Sequence, residues 1–233
     1  MFYRNYILGT FLFSLLLCIP KAEGQEKMII YGIQGGYSMS NQRWESFNRD
    51  ALFKPHLDFI FESQNLENGV SFYSSLGYHI RGSASRANNI ININTGNRER
   101  FVEEMAIQNI VLNLGVKKRA IKTNGNALFY LLAIRGEASI GQDFDFYEAL
   151  EDDVNPVVAG VTLGFGYEWV VPSKGTVIAG FSIQPDFTNQ IFVQPGVVQN
   201  TFTGVNEFVD QEEIRNFNIE LSVGFLFFHQ KEF

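Results

Sequence analysis

The chain has 233 residues, a formal net charge of −7 and 45% hydrophobic residues, with 23 Phe and 9 Tyr. That apolar content excludes a disordered chain. An acidic balance without a basic cluster excludes a nucleic-acid binder, and the single cysteine, Cys18, excludes an internal disulfide.

Residues 1–24 read as a cleaved signal peptide. Arg4 supplies the positive start, Ile7 to Ile19 an apolar core, Pro20 a break, and Ala22-Glu23-Gly24 two small residues at cleavage spacing. A cut after Gly24 leaves one domain, 25–233, beginning at Gln25 and free of cysteine. No later apolar run is long enough for a transmembrane helix.

The rest of the chain alternates with period two, the signature of strands. The first strand is expected over Met28–Ser38, with Ile29, Tyr31, Ile33 and Tyr37 on one face and Gly32, Gln34, Gly36 and Ser38 on the other. A polar link, Met39–Ala51, leads to the second at Phe53–Glu62, where Leu57, Phe59 and Phe61 oppose His56, Asp58, Ile60 and Glu62. Asn68-Gly69 is a strong turn signal. The third strand, Val70–Arg81, sets Val70, Phe72, Leu76, Tyr78 and Ile80 against Ser71, Ser75, His79 and Arg81. A long polar segment, Gly82–Arg100, precedes the fourth at Phe101–Val116, with Asn109 and Asn113 on its polar side. A basic link containing Asn124-Gly125 leads to the fifth, Ala127–Gly141, where Leu128, Tyr130, Leu132 and Ile134 oppose Arg135, Glu137 and Ser139.

An acidic link, Gln142–Pro156, precedes the sixth strand at Val157–Val170. Its apolar row ends on Phe165, Tyr167 and Trp169, and its other row is Gly160, Thr162, Gly164, Gly166 and Glu168. Pro172-Ser173-Lys174-Gly175 is a tight turn. The seventh strand runs from Thr176 to Phe187, with Gln184 and Asp186 on its polar side. The longest link, Thr188–Glu213, precedes the last strand, Phe217–Phe233. There Phe217, Ile219, Leu221, Val223, Phe225 and Phe227 form a face without a polar atom, and Asn218, Glu220, Ser222 and Gly224 lie opposite.

Eight strands whose links alternate long and short predict an all-β, eight-stranded antiparallel up-and-down transmembrane β-barrel, with short periplasmic turns and long extracellular loops. The alternation alone allows a soluble barrel with the apolar face inward. Against that, the polar face is rich in Gly, Ser and Asn and poor in Lys, as suits a narrow lumen. Aromatic residues such as Tyr31, Tyr78, Tyr130, Tyr167 and Trp169 gather where membrane-interface girdles belong. The inward set then holds a polar network of Asp58, Glu62, His79, Arg81, Arg135, Glu137, Glu168, Asp186 and Glu220, in which acids outnumber bases. Buried charges need partners, so these residues are expected to fill the lumen with ion pairs.

Catalysis would need convergent groups. His79 with Ser75 and Ser71 shares a face at strand spacing, and His56 is two residues from Asp58, but no metal, cofactor or nucleophile motif stands out. No catalytic residue, cofactor or metal is expected.

The last strand resembles the terminal strand of the small outer-membrane β-barrel superfamily, in which a polar residue, a glycine and alternating aromatics form an assembly signal. Ser222, Gly224, Phe225 and Phe227 match it, and Phe233 keeps the alternating phase, while His229 and Lys231 interrupt the aromatic series. Gln25 after the cut, with many Asn, Phe and Tyr, resembles Bacteroidetes-type members, including the PorT-like group. The resemblance implies an outer-membrane location, contact with outer-membrane lipid and handling by the barrel-assembly machinery. The expected role is a non-enzymatic envelope scaffold or accessory subunit of a larger complex. The alternatives are a binding module acting through Trp44, Phe47, Phe202 and Phe208 in exposed loops, a narrow solute channel, and a lipid-modifying enzyme using His56 and His79.

Overall fold

The computed structural model describes residues 27–44, 48–65, 68–91, 98–145, 148–199, 204–209 and 211–231. The expected signal peptide, Phe47, Phe202 and Phe233 lie outside the described residues. The strands are β1 (Lys27–Gln42), β2 (Asp50–Asn65), β3 (Val70–Ile91), β4 (Arg98–Ile121), β5 (Ala127–Phe144), β6 (Val157–Val171), β7 (Gly175–Pro185), β8 (Ile191–Val193), β9 (Gly196–Gln199), β10 (Asn206–Val209), β11 (Glu212–Ile214) and β12 (Asn216–Lys231). A 3-10 helix, Glu148–Asp153, lies between β5 and β6.

β1 to β7 and β12 form an antiparallel up-and-down barrel in which each strand pairs with its neighbour in the chain, and β12 closes the ring against β1 and β7. The seam is in register from Lys27↔Lys231 to Gln42↔Asn216 without a break. The strands pair because their rows alternate, and the ring closes because an open edge in an apolar solvent would leave a column of unpaired N–H and C=O groups. Outward side chains are large and apolar. Leu132 is 59% exposed, Ile134 71%, Leu221 62% and Val223 63%. Inward neighbours on the same strands, Arg135, Glu137 and Glu220, are buried. A water-soluble barrel carries the opposite arrangement, so this outer surface is that of a transmembrane barrel.

Three short turns, at 68–69, 122–126 and 172–174, share one rim with the start of β1 and the end of β12. Gly69 and Gly125 supply the positive φ these turns need (63° and 83°). The opposite rim carries the long links. There β3 and β4 extend well past the expected ends, to Ile91 and from Arg98, so most of Gly82–Arg100 is ladder rather than loop. Beyond a bilayer a strand needs no apolar row, and period two is lost there although pairing continues. Pro55 has no N–H to give a neighbour, and the β2–β3 register shifts between Ala51 and His56.

A positive charge on the outer belt tests this orientation. Leu132→Arg is expected to cost about 2–4 kcal/mol of barrel stability, while Ile121→Arg at the rim costs about 1 kcal/mol or less. Urea unfolding of the barrel in lipid vesicles measures both.

Candidate functional site

The lumen is filled in layers. Nearest the short turns, two bases and two acids alternate. Lys117 Nζ lies 2.9 Å from Glu62 and 2.6 Å from Glu168. Arg119 lies 2.6 Å from Glu62 and 2.7 Å from Glu168, and donates to Ser71 Oγ at 2.5 Å. All four charged side chains are buried. Charges removed from water hold only with close opposite partners, and here each has two. Lys117 Nζ also sits 4.3 Å from the centre of the Phe129 ring. Phe129 belongs to an apolar cluster with Ile30, Ile60, Tyr73, Ile178 and Leu226 that packs around this square.

Above it is a cavity of about 40 Å³ lined by Gln34, Ser75, Asn113, Thr162, Ser182 and Ser222, among others. It has room for about three waters at roughly 10–15 Å³ each.

The next layer is ionic again. His79 lies between two carboxylates, donating from Nδ1 to Glu220 Oε1 at 2.8 Å and from Nε2 to Asp58 Oδ1 at 3.1 Å. Arg81 donates to Gln184 Oε1 at 2.6 Å and to Glu220 Oε1 at 3.3 Å. Gln184 donates to the other oxygen of Glu220. Arg81 Nη1 and Arg135 Nε approach Glu137 Oε1 to 2.8 and 2.6 Å, off the hydrogen-bonding direction, as an ionic contact. Arg135 also pairs with Asp186. Two glycines make room. A Cβ on Gly77 would collide with Asp58 and His79, and one on Gly160 would meet Arg135 Nη2 at 2.5 Å. His56 stacks on His79, ring centres 4.9 Å apart.

Amides and hydroxyls form the layer above. Ser139 donates to Asn109 Oδ1 at 3.0 Å, and Asn216 donates to Gln190. The mouth is then sealed by apolar side chains: Met105 and Ile107 of β4, Phe144 of β5, Leu150 of the 3-10 helix, Ile191 and Val193 of β8, Ile214 of β11, and Trp44. β8 and β11 form a two-stranded cap, Val193↔Glu212 to Ile191↔Ile214. β9 and β10 form a separate hairpin.

All nine residues of the expected polar network are buried in the barrel, in two groups rather than one. Lys117 and Arg119 join them, contrary to the expectation of a basic link after Val116. β4 continues to Ile121, and the inward phase set by Asn109 and Asn113 falls on 117 and 119. Extending that phase would have found them. Trp44 is a second correction. It is 7% exposed in the cap, because the loop folds over the mouth, whereas Phe208 is 68% exposed. Ser71 and Ser75 serve Arg119 and Asn113 and do not bond His79. Tyr31, Tyr78, Tyr130 and Trp169 point outward and exposed, and Tyr167 is half-buried beside Lys122. Phe225 and Phe227 pack edge to face on the outside of β12, 4.9 Å apart.

No family model and no curated protein matches the chain. Among solved structures it is similar to Ail, the attachment invasion locus protein of Yersinia pestis in complex with the heparin analogue sucrose octasulfate, at 8% identity and a TM-score of 0.38, over 85% of this chain and 99% of that one. It is also similar to the outer membrane protein OprG from Pseudomonas aeruginosa, at 7% identity and a TM-score of 0.47, over 87% of this chain and 97% of that one.

Removing one member of the lower square leaves a buried cation short of a partner. Glu168→Gln is expected to destabilise the barrel by about 3–5 kcal/mol. Lys117→Met combined with it should cost less than the two single changes added together, which a double-mutant cycle in urea reads directly. Ile191→Asp should open the cap to protease while the barrel keeps its folded gel mobility.

Proposed function

We propose that this chain is an integral outer-membrane protein, neither an enzyme nor an open pore, that works as an anchored accessory subunit of a larger envelope assembly. One observation carries this reading. Val197 and Phe208 face each other across the β9–β10 hairpin and are 66% and 68% exposed. That hairpin pairs with no other strand among the described residues. An exposed apolar pair on such a hairpin, held at the long-link rim, is the kind of surface that partners cover. The filled lumen supports the same reading, since it leaves the rim as the place where a partner can be met. The outer-membrane location is supported by the short-turn rim holding both strand ends. The lipid partners are then those of that membrane, and β12 is the segment offered to the barrel-assembly machinery. A second reading, direct binding of an extracellular ligand, uses the same hairpin.

The test is extraction of the native membrane in mild detergent. The chain should co-purify with a stable outer-membrane partner, and Val197→Ser/Phe208→Ser should release it with the barrel intact. Recovery alone and monodisperse contradicts the subunit reading; loss of ligand binding by whole cells carrying the double variant would favour the second. In planar bilayers the folded chain is expected to show no conductance above leak.

A further inference from the structure

His56 is 5% exposed, and neither of its ring nitrogens has a hydrogen-bond partner among the described residues. A buried imidazole without partners is unfavourable, so the position calls for an explanation. The neighbourhood supplies one. One ligand atom each of His56, His79 and Glu220 lies within 4.8 Å of the other two, and all three residues are buried. They come from β2, β3 and β12, and project into the lumen from either side of β1.

The ligands are also supported from behind. Asp58 would hold His79 by Nε2–H, the carboxylate–histidine arrangement that orients metal-binding imidazoles.

We propose that His56, His79 and Glu220 form a binding site for one divalent transition-metal ion of the zinc class, set inside the barrel. Two imidazoles and one carboxylate are ligands such ions take up readily. On binding, His79 Nδ1 loses its proton to solvent and that lone pair joins the metal, as do a lone pair of His56 and one of Glu220 Oε1. The two rings are within 12° of parallel, so His56 turns about its Cβ–Cγ bond to aim at a shared ion. Arg81, 3.3 Å from the same Glu220 oxygen, keeps Glu137 and Gln184 as its other partners. The ion would tie the closing strand β12 to the β2–β3 pair.

The test uses the full chain folded in detergent micelles and stripped with EDTA. Zn²⁺ is added either during folding or afterwards, because the closed mouth slows entry. Bound zinc is measured after desalting, and Co²⁺ reports the ligand set by its visible spectrum. One zinc per chain is expected, with a raised urea midpoint. Both should be lost in His56→Ala and Glu220→Gln and kept in His229→Ala. His56→Ala removes no side-chain hydrogen bond among the described residues, and gel mobility verifies that it folds even if Glu220→Gln does not. No stoichiometric zinc by either route overturns the proposal. So does zinc retained by His56→Ala, or lost only with His229→Ala, since the ion would then sit elsewhere.

Discussion

An unpaired backbone N–H or C=O in hydrocarbon costs several kcal/mol, and the seam between β1 and β12 is where that cost is avoided. Sixteen residue pairs join the two strands without a bulge. The seam also locks the phase of everything else. A slip by one residue would turn Glu220 and Ser222 into lipid and Leu221 and Val223 into the lumen, reversing both faces at once. The alternation in β12 therefore specifies the closing register as well as the strand.

Closure with eight strands leaves an interior just wide enough for side chains. That space contains carboxylates and cations, and none of them can rely on water. The result is two separate ionic layers, one shared among Lys117, Arg119, Glu62 and Glu168, the other threaded through Arg81, Arg135 and His79. The lower layer balances its charges. The upper layer also holds a stacked histidine, His56, without a polar partner among the described residues. Gly77 and Gly160 show how tightly that layer is fitted, since a single methyl group at either would strike a charged side chain.

The barrel itself could be read from the chain because its signals are local. Period-two rows name the strands, Asn68-Gly69 and Asn124-Gly125 name two turns, and the order of long and short links gives the up-and-down path. The features that escaped reading lie where those signals stop. β3 and β4 run on beyond the apolar belt, where polar residues such as Ser83, Ser85 and Arg86 fit either side of a ladder. Lys117 was hidden among basic neighbours that resemble a solvated turn. Trp44, Ile191 and Ile214 meet only because the last long link folds back over the mouth, a contact between distant segments that no short window contains. The split of the polar set into two layers comes from strand stagger, which depends on register and not on residue type.

The whole architecture rests on lipid touching the odd-numbered row of β12. Spin labels placed singly from Asn218→Cys to Leu226→Cys, in a Cys18→Ser background and a phospholipid bilayer, test that row directly. Collision with oxygen dissolved in the bilayer should rise at 219, 221, 223 and 225 and fall at 218, 220, 222 and 224, with water-borne relaxation agents excluded from the first set. A chain that folds as a monomer in water without amphiphile, or whose odd-numbered labels relax with the water-borne agent, would contradict it.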